Sequence, residues 1–554
     1  MLSKTYGAGV LGTDGFLVCC EAAVENGFPQ TNFIGFLTGA ARETGERVRT
    51  AIQNSGIYLE PKHVTINFSP ADIRKEGCAY DVPAAVSLLS SYGLIPEDLL
   101  SGSLFAGELS LGGEILPVRG VISMVSAARD AGLKRCFLPL QNLREGSVIS
   151  GIDCYGAETL PDLIRMLRGE EPLPSPAVYT ESPEDLEYAV DFADISGQEL
   201  VKRATLIAVS GRHNMLLIGP AGTGKSMVAE RIPTIMPSMT QAERLELSRV
   251  YSISGLLPPD EPLLRLRPFR SPHHTISPQA LTGGGVQPKP GEISLATNGV
   301  LFLDELPEFR TEALEVLRQP LEERVVHISR VRGSFTFPAD FQLVCAMNPC
   351  RCGFWPDRSR CTCSELQVKS YIGRVSKPLL DRIDLCAETL PVGFDDLRTK
   401  GSGTESRVFK ETVERVRAVQ TERFRGTDVR FNSGMGIALI EEHCRLSPED
   451  ERFLRAFYEQ SSISARGLHK ILKVARTAAD IEGSAGIRRE HLAEAIAFRS
   501  LESKYWGTRP AARGAGSGSR QAGIAGGGFG LAGIDGGKGV KIRAGRTSHE
   551  SENR

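Results

Sequence analysis

Gly219-Pro220-Ala221-Gly222-Thr223-Gly224-Lys225-Ser226 follows the apolar run Asn214-Met215-Leu216-Leu217-Ile218 and precedes the helix-like Met227-Val228-Ala229-Glu230. The octad fits G-x-x-x-x-G-K-[ST] in a strand-before, helix-after setting, where glycines let backbone N–H groups wrap phosphate oxygens at a helix N-terminus. In that reading residues 219–226 cradle the phosphates of a nucleotide. Lys225 neutralises the β- and γ-oxygens, and the Ser226 hydroxyl ligates Mg2+. The motif predicts a parallel sheet with helices on both faces from about 190 to 395.

Two further strand ends are expected beside it. Gly299-Val300-Leu301-Phe302-Leu303-Asp304-Glu305 carries four apolar residues of a buried strand and then two carboxylates. Asp304 is expected to hold Mg2+ through water, and Glu305 to polarise the attacking water. Phe341-Gln342-Leu343-Val344-Cys345-Ala346-Met347 ends at Asn348-Pro349. Asn348 would orient the lytic water or sense the γ-phosphate, or else only form a turn before proline.

Hydrolysis also needs positive charge on the transferring phosphoryl group, typically an arginine from a neighbouring subunit. Pro378-Leu379-Leu380-Asp381-Arg382-Ile383-Asp384 offers Arg382, beside two carboxylates that would equally suit an intrachain ion pair. Arg374 is the second candidate. Ser464-Ala465-Arg466-Gly467 opens a basic helix, so Arg466 either reaches a phosphate at a domain junction or closes a helix-cap ion pair.

Four of the twelve cysteines, Cys350, Cys352, Cys361 and Cys363, crowd together just after Asn348. Two C-x-C pairs suffice for a tetrahedral Zn2+ clip on an insertion at 350–363, or for two reducible disulfides or free thiols. Arg351, Arg358 and Arg360 are expected to help keep the thiolates ionised.

The chain has 554 residues, 41% hydrophobic and 24% charged, which suits about three folded domains rather than a disulfide-stapled scaffold. Residues 1–168 mix short strands with helical patterns and read as an α/β or α+β domain. A proline-rich, acidic linker at 169–189 follows. Residues 405–506 place apolar residues at helical spacing and read as a helical lid. Residues 507–554 hold 14 of the 58 glycines and read as a disordered, Gly-rich tail with a basic tint. No segment has the apolar length of a signal peptide or membrane span, so a cytoplasmic, non-membrane protein with mostly reduced or metal-bound cysteines is expected.

The formal net charge of -2 argues against coating nucleic acid by bulk charge. Any DNA contact should lie in local loops. Arg265-Leu266-Arg267-Pro268-Phe269-Arg270 is one candidate, and a hairpin over 325–337 with Arg330 and Arg332 near its turn is the other. Solvated charge or ion pairs at a subunit interface would explain both equally.

The order of these motifs resembles the AAA+ ATPases, and more closely the magnesium-chelatase-like ComM/YifB family. Ser271-Pro272-His273-His274-Thr275, Gly283-Gly284-Gly285, Pro290-Gly291-Glu292-Ile293-Ser294-Leu295 and Leu379-Leu380-Asp381-Arg382-Ile383-Asp384 carry the resemblance, which runs to about residue 505. Thr297-Asn298 departs from it, since relatives often carry Ala-His there. The resemblance implies ATP and Mg2+ as ligands, Arg382 as a finger acting in trans and Arg466 as a second sensor. It also implies a homo-hexamer acting on single-stranded or branched DNA with recombination proteins, as a branch-migration helicase in natural transformation. A magnesium-chelatase-type ATPase that remodels a protein partner is the alternative.

The N-terminal region resembles the Lon-protease-type domain, of the ribosomal protein S5 domain 2-like fold, through Asp72-Ile73-Arg74-Lys75-Glu76-Gly77 and Gly107-Glu108-Leu109-Ser110-Leu111-Gly112-Gly113. Cys78-Ala79-Tyr80 and Gly120-Val121-Ile122 stand where that family's Ser and Lys are expected, which implies a non-proteolytic domain.

Overall fold

Met215–Ile218, Val300–Leu303 and Gln342–Met347 are buried at every position, as strands covered on both faces must be. They belong to a five-stranded parallel sheet ordered Phe269–Arg270, Val300–Leu303, Gln342–Met347, Met215–Ile218, Leu385–Glu388. This computed structural model describes residues 2–181, 188–285, 288–330, 333–393, 404–461 and 463–506. The expected glycine-rich tail, residues 182–187 of the expected linker and Arg332 lie outside the described residues.

Strands of the N-terminal region alternate instead. His63–Ser69 and most of Asp14–Glu25 bury every second residue, the pattern of a sheet covered mainly on one face. Seven strands form a mixed sheet ordered Gln30–Ile34, His63–Ser69, Asp14–Glu25, Leu2–Leu11, Ser103–Phe105, Arg135–Pro139, Asp153–Ala157. Its helices include Asp81–Ser91, every residue of which is buried. Helices Ser406–Arg423, Ile437–His443, Pro448–Gln460, Ala465–Ile481 and Arg489–Trp506 make the C-terminal region helical. The bidentate Arg423 to Asp480 pair, at 2.5 and 2.6 Å, ties two of them together.

The N-terminal sheet rests on the nucleotide-binding region through the helix Gln241–Ser254. A capping box between Thr240 and Glu243 starts this helix. Ser252 Oγ donates to the half-buried Glu145 carboxylate at 2.5 Å, and Arg249 donates to Ser126 Oγ at 2.7 Å. Leu245 and Leu257 pack against the apolar cluster that holds Val121, Ile122 and Val125.

Candidate active site

The phosphate loop leaves the carboxyl end of Met215–Ile218 and enters the helix Lys225–Ile235 through Gly224. Gly222 and Gly224 have φ of +77° and +82°, which explains glycine at both positions. Gly219 is required for space: a Cβ there would stand 2.0 Å from Thr389 Oγ1. Thr389 also meets Thr223 Oγ1 at 2.7 Å, so the loop is pinned to the chain that continues from the neighbouring strand Leu385–Glu388.

The predicted residues converge here. Lys225 Nζ donates to the carbonyls of Gly219 and Pro220 at 2.9 and 2.7 Å and to Asn348 Oδ1 at 3.1 Å. Burial pushes its ammonium below the usual lysine range, against the opposing pull of Asp304 and Glu305. Ser226 Oγ donates to Asp304 Oδ2 at 2.7 Å, and the Glu305 amide donates to Asp304 Oδ1 at 2.8 Å. A hydroxyl and a carboxylate already in contact are the hard oxygen set that suits Mg2+, so Ser226 and Asp304 fit the ion expected of this motif. Glu305 occupies the left-handed region at φ +52° and remains more than half exposed.

His274 was not among the predicted site residues. Its Nδ1 lies 3.5 Å from Glu305 Oε2, while its ring sits 4.1 Å from that of His273. The signal was present in Ser271-Pro272-His273-His274-Thr275, but only the pairing of Phe269–Arg270 with Val300–Leu303 brings that segment to Glu305.

Arg382 lies at the other end of the sheet. In the parallel register Met215 faces Leu385 and Ile218 faces Glu388, so Arg382 precedes the amino end while the phosphate loop leaves the carboxyl end. Its ion-pair partner is Glu322 at 2.7 Å, not the adjacent Asp381 or Asp384, and it donates to the carbonyls of Arg318 and Pro378 at 3.0 and 2.7 Å. Asp384 instead pairs with Lys470 at 3.1 Å. Arg374 pairs with Glu308 at 2.9 Å. Arg466 is exposed in the first turn of Ala465–Ile481 and forms no ion pair with a described residue. It lies one turn before Lys470, whose ammonium donates to the Ile383 carbonyl at that same amino end.

The sulfurs of Cys350, Cys352, Cys361 and Cys363 all lie within 4.8 Å of one another. Burial raises the Cys350 thiol. The Cys352 thiol, despite burial, comes down to about 6 through the Phe354 backbone and the neighbouring thiols. Of the three arginines expected to assist, Arg358 stacks on Trp355, pairs with Glu365 and donates to the Cys363 carbonyl at 3.1 Å, and Arg360 covers Phe354.

The arginine stretch 265–270 also requires correction. Arg267 is buried, pairs with Glu243 at 3.3 Å and donates to the Pro237 and Asn298 carbonyls. Burial brings its guanidinium down to about 10. Arg270 forms a two-pronged pair with Glu292 at 2.7 and 2.8 Å, and Arg265 turns towards Glu181 and Glu261. These side chains hold the fold together and offer no free stripe to a phosphate backbone. The two expected strands do pair, Val325–Arg330 antiparallel to Gly333–Pro338, with Arg330 exposed at the end of the first. Asn298, in the departure noted above, takes φ +60° and is buried against the helix Gln241–Ser254.

In the N-terminal region, burial pushes the Cys78 thiol up to about 11, beside Arg47, Asp81 and Glu108. Arg47 engages Asp81 through both oxygens at 2.7 and 2.9 Å.

A phosphate loop, an acidic strand end and a polar third strand on one parallel sheet, followed by helices, define an ATPase of the AAA+ class. Models described as magnesium chelatase, subunit ChlI; subunit ChlI of Mg-chelatase; and magnesium chelatase, subunit ChlI C-terminal match residues 191–397, 20–142 and 403–499. The chain is 39% identical over 506 residues to Competence protein ComM of Haemophilus influenzae, covering 90% of this chain and 98% of that protein. It is 38% identical over 503 residues to YifB of Escherichia coli, covering 90% and 97%. A stretch of 125 residues is 28% identical to Lon protease 2 of Bacillus subtilis, 22% of each chain. The chain belongs to the ComM/YifB family of magnesium-chelatase-like AAA+ ATPases.

Proposed function

We propose that the protein is a ring-forming AAA+ motor, a homo-hexamer, that hydrolyses ATP to remodel single-stranded or branched DNA during recombination of incoming DNA. The observation that carries this reading is the match to a protein named for competence across 98% of that protein's length. In the proposed division, 190–395 binds nucleotide, 405–506 forms the lid, and 1–168 is a non-proteolytic Lon-type domain. Residues 219–226 bind the triphosphate, with Lys225 on the β- and γ-oxygens. Ser226 and Asp304 hold Mg2+, which when bound offsets phosphate charge. Glu305 takes the proton of the attacking water, and Asn348 keeps that water or the γ-phosphate in place. Arg382, at the sheet's amino end, acts as a finger on a neighbour's nucleotide, and Arg466 acts as a second sensor of a phosphate at a domain junction.

The test compares ATP turnover of the full chain with and without single-stranded and forked DNA. Stimulation that weakens with rising salt is expected. Arg330→Ala should weaken DNA binding several-fold on any sequence and reduce the salt slope by about one charge. No stimulation and no DNA binding at low salt would overturn the DNA reading. The alternative, ATP-driven remodelling of a protein partner, would then stand in front, favoured by the three chelatase-subunit matches.

The four cysteines are proposed to hold a structural Zn2+, since four sulfurs this close suit a tetrahedral ion. Protein purified without chelator is expected to carry one zinc per chain by elemental analysis. A metal-free, active preparation would refute it.

A further inference from the structure

The turn after Gln342–Met347 meets the phosphate loop twice. At its start the Asn348 amide oxygen accepts from Lys225 Nζ at 3.1 Å. Further along, Gly353, at φ +85°, lies against the loop: a Cβ on it would stand 3.6 Å from the Ala221 amide nitrogen and 3.8 Å from Pro220 Cα. Cys350 and Cys352 lie between these two contacts. Their sulfurs are 3.3 Å apart, with the Cys361 sulfur 3.8 and 3.5 Å away. Cys350 is fully buried in the apolar cluster that contains Ile218 and Met347, the last residues of the two strands carrying the phosphate loop and Asn348. The Gly353 amide donates to the Cys350 carbonyl at 3.0 Å, so the turn closes on the cluster itself.

Four cysteine sulfurs at this spacing hold one geometry when a tetrahedral cation sits among them. Without it the thiolates repel and the thiols rotate to new partners, so metal binding and local order are linked. Here the ordered segment is the one whose two ends touch the phosphate loop. A clip elsewhere on the insertion would stabilise the fold and leave nucleotide affinity alone.

We propose that the four-cysteine site braces the nucleotide pocket: its metal keeps Asn348 and Gly353 on the phosphate loop, so zinc and nucleotide each tighten the binding of the other. This rests on the zinc reading above and goes beyond it. Because linkage is reciprocal, the factor by which ADP strengthens zinc binding must equal the factor by which zinc strengthens ADP binding.

The experiment uses the full chain with its zinc and a zinc-selective chromophoric chelator, titrated with and without saturating ADP and Mg2+. The zinc affinity is expected to rise about tenfold with ADP, within the usual span of coupling between sites. Cys363→Ser, which removes a ligand outside the Asn348–Gly353 turn, is expected to weaken binding of a fluorescent ADP by about the same factor. Equal zinc affinities with and without ADP overturn the brace and leave the zinc reading intact. A chain that never contained metal overturns both. The chelator titration uses the unaltered chain, so the proposal stays open to refutation even if Cys363→Ser fails to fold.

Discussion

Glu305→Gln is expected to lower steady-state ATP turnover by about 10²- to 10⁴-fold, the span of a lost general base, while nucleotide affinity stays within a few-fold of the unaltered chain. The amide has the carboxylate's shape but accepts no proton. The contacts assigned to nucleotide come from other residues: Lys225 on the loop, Ser226 and Asp304 at 2.7 Å, and Asn348 on Lys225. Glu305 extends past the buried strand with its side chain largely exposed, and His274 Nδ1 lies 3.5 Å from its Oε2. Turnover and fluorescent-nucleotide titration on the same preparation check this. Loss of binding in parallel with turnover would make Glu305 a structural residue.

Arg382→Ala carries the second large effect. An arginine finger contributes about 10³- to 10⁵-fold to phosphoryl transfer, so turnover should fall to near background while nucleotide binding is spared. The register places Arg382 at the end of the sheet opposite its own phosphate loop, so the loss should be repairable in mixtures. Arg382→Ala chains mixed with Lys225→Ala chains should regain turnover, since some interfaces then join an intact loop to an intact arginine. Glu322→Gln breaks the ion pair and leaves Arg382 in place, so it should retain most activity. Retained turnover in Arg382→Ala, or a loss as large in Glu322→Gln, would reduce Arg382 to a structural ion pair.

The nucleotide site was legible because local rules write it: glycines at positive φ, a lysine and a hydroxyl at the start of a helix, acids at the end of an all-apolar strand. Asn348 before proline was legible for the same reason. Partners distant in sequence were not. Nothing near Arg382 names Glu322, and the adjacent Asp381 and Asp384 mislead, because Asp384 is engaged by Lys470 from the helical region. The arginines of 265–270 misled in the other direction. Their spacing suits a phosphate backbone, but Glu243 and Glu292, each about two dozen residues away, draw two of them into the fold. His274 needed the strand order, since the sequence alone does not say that Phe269–Arg270 lies beside Val300–Leu303.

The seat of the N-terminal sheet on Gln241–Ser254 bears on how the molecule can be divided. Ser252 reaches across to Glu145 at 2.5 Å, and Leu245 and Leu257 lose their apolar cover if the first 168 residues are removed. A fragment beginning near residue 190 would therefore carry a bare, sticky flank on the same helix whose Glu243 anchors Arg267 and whose Glu246 holds Asn298. The N-terminal region thus acts as a wall of the ATPase, and swapping or trimming it would be felt in the ATP-binding half without touching a single nucleotide contact.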